Sequence, residues 1–240
     1  MKKHIPNLLT SMNILSGCIA CVMAFEGNYL WVVIWIIIAA VCDFFDGFMA
    51  RLLQAYSPIG KELDSLADMV SFGLAPSLLA FRYLSDSYTL DTIPLPIAQY
   101  IPYFSFLLVV FSGLRLAKFN VDERQTSTFI GLPTPANALF WISLCYGLYN
   151  NKIGISSAIS FYSVLVLVFI FSLLLTAEVP MFSLKIKSVR LKGNELIYTL
   201  LLTIIVAVVF FGLLGIALGI ITYILLSFAS VVAQKDNKVN

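Results

Sequence analysis

Residues 42–72 read CDFFDGFMARLLQAYSPIGKELDSLADMVSF and carry four aspartates inside a chain that is otherwise almost entirely lipid-compatible. The four are Asp43, Asp46, Asp64 and Asp68. Long apolar runs lead into the first pair and away from the second. An ionised aspartate near the middle of a bilayer costs about 2.5–3.5 kcal/mol on insertion scales, so a group of them requires a compensating partner. We therefore expect the chemistry of the protein in this stretch.

The rest of the chain has the composition of an integral membrane protein. Of its 240 residues, 60% are hydrophobic and 12% are charged, and the mean hydropathy is +0.94. Soluble domains carry roughly 25% charged residues. Apolar stretches near membrane-spanning length occur at Leu8–Phe25, Tyr29–Leu53, Leu63–Tyr83, Ile101–Lys118, Ala136–Tyr149, Ser156–Thr176, Glu195–Phe211 and Leu213–Ala233. We predict an all-α, polytopic membrane helix bundle, a single membrane domain over residues 1–240 with about eight transmembrane helices.

The distribution of Lys and Arg predicts the orientation, because short cytoplasmic loops hold the excess of positive charge. With the N-terminus in the cytoplasm, 13 of the 15 Lys and Arg residues lie on that side, and only Arg82 and Lys152 lie opposite. Both termini, and the aspartates at the ends of the second and third predicted helices, are then cytoplasmic. The net charge of +2 suits an anionic inner leaflet.

The spacing of the aspartates predicts that they converge. Asp43 and Asp46 are three residues apart, and Asp64 and Asp68 are four apart, so each pair shares one face of its helix. A short turn containing a Ser-Pro pair separates the two helices. The two acidic faces can therefore meet.

Oxygen ligands without His or Cys indicate a hard divalent cation such as magnesium, manganese or calcium, and not zinc or copper. A set of interfacial charges neutralised by Arg51 and Lys61 is the simpler alternative, but two cations cannot pair four buried anions. Two metal ions can clamp a diphosphate during an in-line displacement. Gly47 and Ala50 leave a notch beside the carboxylates, which equally suits close helix packing.

A second polar group follows the fourth predicted helix. Residues 112–125 read SGLRLAKFNVDERQ and bring Arg115, Lys118 and Asn120 to the level of the aspartates. A Gly- and Pro-containing entry to the next helix adds Thr134 and Asn137. These residues are either ordinary membrane anchors or the lining of a pocket for a small polar substrate.

The last quarter of the chain consists of a basic loop at residues 183–193 and two further apolar helices. The loop is predicted to face lipid headgroups. Residues 215–219 read GIALG, a GxxxG pattern that suits close helix contact and could form the face of a homodimer.

The central stretch resembles the signature of the CDP-alcohol phosphatidyltransferase family, DxxDGxxAR, eight residues, then GxxxDxxxD. Every fixed position of that signature is present between Asp43 and Asp68. The segments IPNLLT, RLAKFN, FIGLPTPANA and VPMFSLK further resemble membrane-bound phosphatidylserine synthases. The resemblance implies a six-helix catalytic core at residues 1–176, with the loop and two helices of residues 177–240 added to it.

The resemblance also implies an activity, the transfer of the phosphatidyl group of CDP-diacylglycerol to the hydroxyl of L-serine with release of CMP. The partners would be these substrates and membrane lipids, with no nucleic acid. It implies a bacterial inner membrane location with the active site facing the cytoplasm.

Site roles follow from the same resemblance. Asp43, Asp46 and Asp64 are expected to bind two divalent cations, magnesium or manganese, and Asp68 to act as both a metal ligand and the general base. The residues expected to bind CDP-diacylglycerol are Pro6, Asn7, Thr10, Gly47, Ala50, Arg51 and Ser57. Because serine is a zwitterion, its pocket needs a cation and an acceptor; the residues expected there are Arg115, Lys118, Asn120, Thr134 and Asn137.

Three alternatives stay open on sequence alone. The acceptor could be another alcohol, such as glycerol phosphate or an inositol phosphate, although these need a denser basic pocket. Intramembrane prenyl transfer would require a second Asp-rich motif, but after Asp122 only Asp236 follows. A divalent-cation transporter would distribute acidic groups along a path through the membrane instead of clustering them at one end.

Overall fold

The computed structural model describes residues 4–87, 99–122, 129–150, 154–181 and 194–239. These residues form eight helices, which confirms the predicted all-α membrane bundle. The helices are α1 (His4–Phe25), α2 (Tyr29–Leu52), α3 (Pro58–Asp86), α4 (Ile101–Val121), α5 (Thr134–Tyr149), α6 (Ser157–Thr176), α7 (Glu195–Phe211) and α8 (Leu214–Val239). The predicted basic loop at 183–193 lies outside the described residues.

Five helices, α1, α2, α3, α4 and α6, are long and apolar enough to cross a membrane. The other three have shorter apolar stretches. With 16 and 17 residues, α5 and α7 extend about 24–26 Å, somewhat less than the roughly 30 Å of a hydrocarbon core. The apolar part of α8 covers Leu214–Ser230.

Helix α3 changes its hydrogen-bonding pattern directly after the fourth aspartate. Its first part, Pro58–Asp68, is α-helical, the segment Met69–Leu74 is a π-helix, and α-helix resumes at Ala75–Asp86. Helix α1 packs tightly on the π-segment. The Ser71 hydroxyl donates a hydrogen bond to the backbone carbonyl of Asn13 at 2.9 Å, and Gly17 packs directly against Ser71. Short π-segments frequently occur at functional sites.

The centre of the bundle is apolar and is organised around α5, which packs against α2, α3 and α8. The side chains of Phe140 and Trp141 are fully buried. The ring of Phe140 stacks on Phe171 of α6, with centroids 3.9 Å apart. This aromatic group fixes α5 and α6 against one another, and with them the polar ends of both helices.

A two-stranded antiparallel pair, β1 (Phe129–Ile130) with β2 (Pro180–Met181), joins the entry of α5 to the exit of α6. The amides of Gly131 and Leu132 donate to the carbonyls of Val179 and Leu174 at 2.9 and 3.0 Å. Gly131 has φ +77°, and a Cβ there would approach the Leu175 carbonyl oxygen to 2.7 Å. Glycine is therefore required at this close crossing. The pair is too short to change the all-α class.

The GxxxG pattern serves a contact within the chain. A side chain at Gly215 would collide with the backbone of α7, and one at Gly219 would collide with Ile204 of the same helix. The expectation that these glycines form a homodimer face was therefore wrong, because α7 already covers them. A homodimer stays a prediction without an assigned interface.

We predict that Gly17→Ala lowers the thermal unfolding midpoint of the protein in detergent by several degrees. A Cβ at Gly17 would lie 2.8 Å from the Cα of Ser71, and overpacking of this kind costs about 1–3 kcal/mol. Alanine is intrinsically better than glycine in a helix by about 1 kcal/mol, so only the collision explains a loss. Gly47→Ala is the matched control, since no atom lies within 4 Å of its Cβ position; equal midpoints for the two variants would contradict the predicted clash.

Candidate functional site

The polar residues selected from the sequence gather at one end of the bundle. That end is built from the start of α1, the end of α2, the start of α3, the end of α4 and the start of α5. The opposite end carries a separate polar group, in which Arg82 pairs with Asp86 at 2.9 Å and the hydroxyl of Tyr29 donates to Asp86 at 3.2 Å. Because successive helices run in alternating directions, the four motif aspartates and the basic residues near them lie at the same end of the bundle.

Three of the four motif aspartates form a compact group. Asp43, Asp64 and Asp68 each offer a carboxylate oxygen, and these oxygens lie within 4.8 Å of one another. All three side chains are partly buried, and Asp68 Oδ1 is buried without a hydrogen-bond partner in the described part of the protein. The structure therefore brings the aspartates of α2 and α3 together, as the sequence predicts.

The donor set of this aspartate group fits a divalent cation. Two negative charges about 5 Å apart repel each other by roughly 3 kcal/mol at an effective dielectric constant of 20, and three such charges face one another here. The oxygens are carboxylates only, which magnesium and manganese prefer.

Asp46 lies beside this group and has a partner of its own. It is 5% exposed, and the hydroxyl of Thr10 in α1 donates to its Oδ2 at 2.6 Å. A short bond to a carboxylate is of the stronger, charge-assisted kind. Asp46 is not part of the three-carboxylate group, so its predicted role as a metal ligand stays a prediction.

A cleft of about 470 Å³ opens next to the aspartates, between α1, α2 and α3. We call it the α1–α3 cleft. Asp46 and Asp64 form part of its wall. All seven residues expected from the sequence to bind CDP-diacylglycerol line it: Pro6, Asn7, Thr10, Gly47, Ala50, Arg51 and Ser57. The space above Gly47 is open, so the absence of a side chain there widens the cleft.

The beginning of α3 forms one side of this cleft. Ser57 is the N-cap of α3, and its Oγ accepts a hydrogen bond from the amide of Gly60 at 3.0 Å. Gly60 and Lys61 also line the cleft. A helix N-terminus carries a partial positive charge and favours anions. The cleft therefore combines this helix end with the cations of Arg51 and Lys61.

The α1–α3 cleft is also lined by three residues that were not expected there from the sequence, namely Tyr56, Lys61 and Phe119. For Lys61 a signal existed, because it precedes Asp64 by three residues and so shares its helix face. Its Nζ donates to the backbone carbonyl of Asn120 at 3.0 Å, which ties α3 to the end of α4. No comparable spacing pointed to Phe119.

Arg115 provides a buried positive charge behind the aspartates. The residue is 8% exposed and interacts electrostatically with Asp68. One guanidinium nitrogen, Nη1, donates to the hydroxyl of Thr134 at 3.1 Å, whereas Nε has no partner among the described residues. A buried charge needs compensation, which the hydrogen bond to Thr134 and the negative charge of Asp68 supply in part.

The five residues expected to bind serine do not line a single cavity. Arg115 and Lys118 line a second cavity of about 360 Å³, the α4–α6 cavity, between the end of α4, β1 and the end of α6. Thr134, Asn137 and Asn120 lie outside its lining.

Each of the latter three has other partners. Thr134 accepts the hydrogen bond from Arg115, and Asn137 accepts one from the indole nitrogen of Trp141 at 3.1 Å. Asn120 faces α3 and donates to Ser65 Oγ at 2.8 Å. Their expected contact with serine stays a prediction.

Comparison with known proteins agrees with this geometry. A sequence model of the CDP-alcohol phosphatidyltransferase family matches residues 3–176. A Bacillus subtilis protein named CDP-diacylglycerol–serine O-phosphatidyltransferase is 38% identical over 144 residues, which are 60% of this chain and 76% of that protein.

Two further relatives carry the same name. The one from Helicobacter pylori strain 26695 is 36% identical over 151 residues, 61% of this chain and 58% of its own length. The one from Methanocaldococcus jannaschii is 31% identical over 142 residues, 59% of this chain and 60% of its own length. Because the family match spans well over half of the sequence, this chain belongs to the CDP-alcohol phosphatidyltransferase family.

Proposed function

We propose that this protein transfers the phosphatidyl group of CDP-diacylglycerol to the hydroxyl of L-serine, giving phosphatidylserine and CMP. The observation that carries the proposal is the convergence of the aspartate group with a cleft lined by all seven expected donor-binding residues. Serine as the acceptor is supported by the names of the relatives from Bacillus, Helicobacter and Methanocaldococcus.

We further propose that the site faces the cytoplasm of a bacterial inner membrane. The support is the excess of Lys and Arg, 13 against 2, on the side to which the aspartates belong. The lipid tails of the donor would stay in the bilayer while its nucleotide enters the α1–α3 cleft. Residues 1–176 would form the catalytic core, and residues 177–240 an addition to it.

In this proposal the α1–α3 cleft binds the nucleotide end of the donor. Arg51 and Lys61 bring cations to the diphosphate, and Arg51 can bind a phosphate in a bidentate manner. The N-terminus of α3 adds a partial positive charge. Gly47 leaves room for the donor beside α2.

The carboxylates Asp43, Asp64 and Asp68, with Asp46 next to them, would hold two divalent cations. Magnesium or manganese supplies, when bound, Lewis-acid stabilisation of the negative charge on the diphosphate. The hydrogen bond from Thr10 orients Asp46 at the edge of the cleft. Orientation by such outer contacts commonly decides how well a metal ligand works.

Asp68 would act as the general base. Its carboxylate takes the proton of the serine hydroxyl as that oxygen forms a bond to the phosphorus that carries diacylglycerol, and the bond from this phosphorus to the CMP oxygen breaks. The unpartnered Oδ1 of Asp68 provides an acceptor for the proton. The positive charge of Arg115 would favour the ionised form of this carboxylate. General-base catalysis contributes typically 10²–10⁴-fold.

We predict that the purified protein in detergent, supplied with CDP-diacylglycerol and magnesium or manganese, releases CMP only when L-serine is added. Asp68→Asn should reduce this release by at least about 100-fold, because the amide cannot accept the hydroxyl proton. CMP and phosphatidylserine should be formed in equal amounts, which chromatography of both products measures.

Asp86→Asn is the matched control, since the same chemical change falls at the opposite end of the bundle; it should retain activity. Release with glycerol phosphate or inositol phosphate in place of serine would keep the family chemistry and overturn the proposed acceptor. No release with any acceptor would overturn the proposed enzyme.

We also predict that Thr10→Val, which keeps the shape but removes the hydroxyl, lowers kcat/KM for CDP-diacylglycerol about tenfold or more. Hydrogen bonds to charged groups contribute about 1.5–3 kcal/mol, and Asp46 would lose such a bond. Ser11→Ala removes a neighbouring hydroxyl whose hydrogen bond goes to the backbone carbonyl of Asn7 and not to Asp46, and it should have little effect. Equal kinetics for the two variants would show that the Thr10 contact is unimportant for the donor.

A further inference from the structure

The α4–α6 cavity carries charges of both signs. Arg115 and Lys118 lie on its α4 side, Asp122 follows the end of α4, and Glu178 lies just after the end of α6. The formal charges of these four side chains cancel. Lys118 and Glu178 are exposed whereas Arg115 is buried, so the cavity has an open polar mouth and an enclosed cationic end.

The wall that carries Glu178 is held firmly in place. Hydrogen bonds from Gly131 and Leu132 to the carbonyls of Val179 and Leu174 bracket it on both sides. The close crossing of Gly131 over Leu175 tightens the same junction. The backbone that carries the Glu178 carboxylate is therefore held by hydrogen bonds on both sides, although Glu178 follows the end of α6.

Arg115 connects the cavity to the aspartates. It lines the cavity and interacts with Asp68, and its buried Nε has no partner among the described residues. A small molecule in the cavity would thus meet the guanidinium end of Arg115, the residue that lies towards Asp68. Its other end would point to the mouth.

The charges distinguish between kinds of acceptor. Asp122 already has an interaction partner within the protein, whereas Glu178 has no hydrogen bond or ion pair with any described residue. A phosphate-bearing alcohol would bring two negative charges towards this carboxylate, which is unfavourable. A zwitterion can place its carboxylate at Arg115 and its ammonium at Glu178.

We infer that Glu178 is a specificity-determining residue that binds the ammonium group of an amino-acid acceptor in the α4–α6 cavity. The inference rests on the proposed function, and it adds a residue that sequence analysis left unassigned. The acceptor class it defines is a small hydroxy amino acid, held between Arg115 and Glu178 with its hydroxyl directed to Asp68.

The test compares two acceptors that differ only in the amino group, L-serine and 3-hydroxypropanoate. Glu178→Gln should raise the KM for serine by about two- to fivefold, the size of effect found for exposed ion pairs, and leave the KM for CDP-diacylglycerol unchanged. Turnover of 3-hydroxypropanoate should be unaffected, so the preference for serine over this analogue falls by the same factor. Glu178→Asp keeps the charge and should retain most of the preference.

Glu26→Gln is the matched control, because Glu26 is an exposed carboxylate in the turn between α1 and α2. If Glu178→Gln lowered the activity with serine and with 3-hydroxypropanoate equally, or left the preference for serine unchanged, the role of Glu178 would be overturned. Serine would still be the acceptor. Wild-type protein that shows no dependence on serine would instead overturn the proposed function itself. The two failures are therefore distinguishable.

Discussion

Mutual repulsion among Asp43, Asp64 and Asp68 is the constraint on which the rest of this structure depends. Three carboxylate oxygens within 4.8 Å at the end of a hydrophobic bundle are unfavourable unless the surrounding helices hold them and a positive charge offsets them. The fold supplies the first condition and only part of the second, which leaves charge for a bound cation to offset. Helix α1 packs on the π-segment that follows Asp68 through Gly17 and Ser71, and Arg115 lies behind the same aspartate.

This arrangement divides the polar end of the bundle into two compartments. The α1–α3 cleft lies on one side of the aspartates, with the start of α3 in its wall, and the α4–α6 cavity lies on the other side of Arg115. In the proposed transfer this division would suit an in-line displacement, in which the attacking hydroxyl and the departing CMP lie on opposite sides of the phosphorus of the donor. The stacked rings of Phe140 and Phe171 hold α5 against α6 and so help to fix the position of the two compartments relative to each other.

Much of this was predictable because it depends on local spacing. The apolar stretches gave eight helices near their observed bounds, and the three- and four-residue intervals between the aspartates put each pair on one helix face. The seven residues expected around the donor do line one cleft, although they come from the separate segments that contain Pro6, Gly47 and Ser57.

What could not be predicted depends on contacts between distant segments. Periodicity does not reveal a π-segment, so the change of hydrogen-bonding pattern in α3 after Asp68 was not foreseen. Asn120 was grouped with Arg115 because both follow the same apolar run, yet its side chain faces Ser65 on α3. The glycines at 215 and 219 fit α7 and not a second copy of the chain, since a GxxxG pattern does not identify its partner helix.

Glu178 illustrates the same limit for function. It directly precedes the quoted segment VPMFSLK, but no role for it followed from that segment, because the packing of α6 on α4 and the β1–β2 pair bring it to the cavity that Arg115 lines.

The aspartate group as a metal centre is tested most directly by anomalous X-ray scattering from crystals grown with manganese and CDP-diacylglycerol. We expect anomalous peaks within about 2.5 Å of carboxylate oxygens of Asp43, Asp64 and Asp68, next to the diphosphate in the α1–α3 cleft. A nucleotide bound in that cleft without any anomalous peak at the aspartates, or manganese bound only elsewhere, would contradict a metal centre at this site.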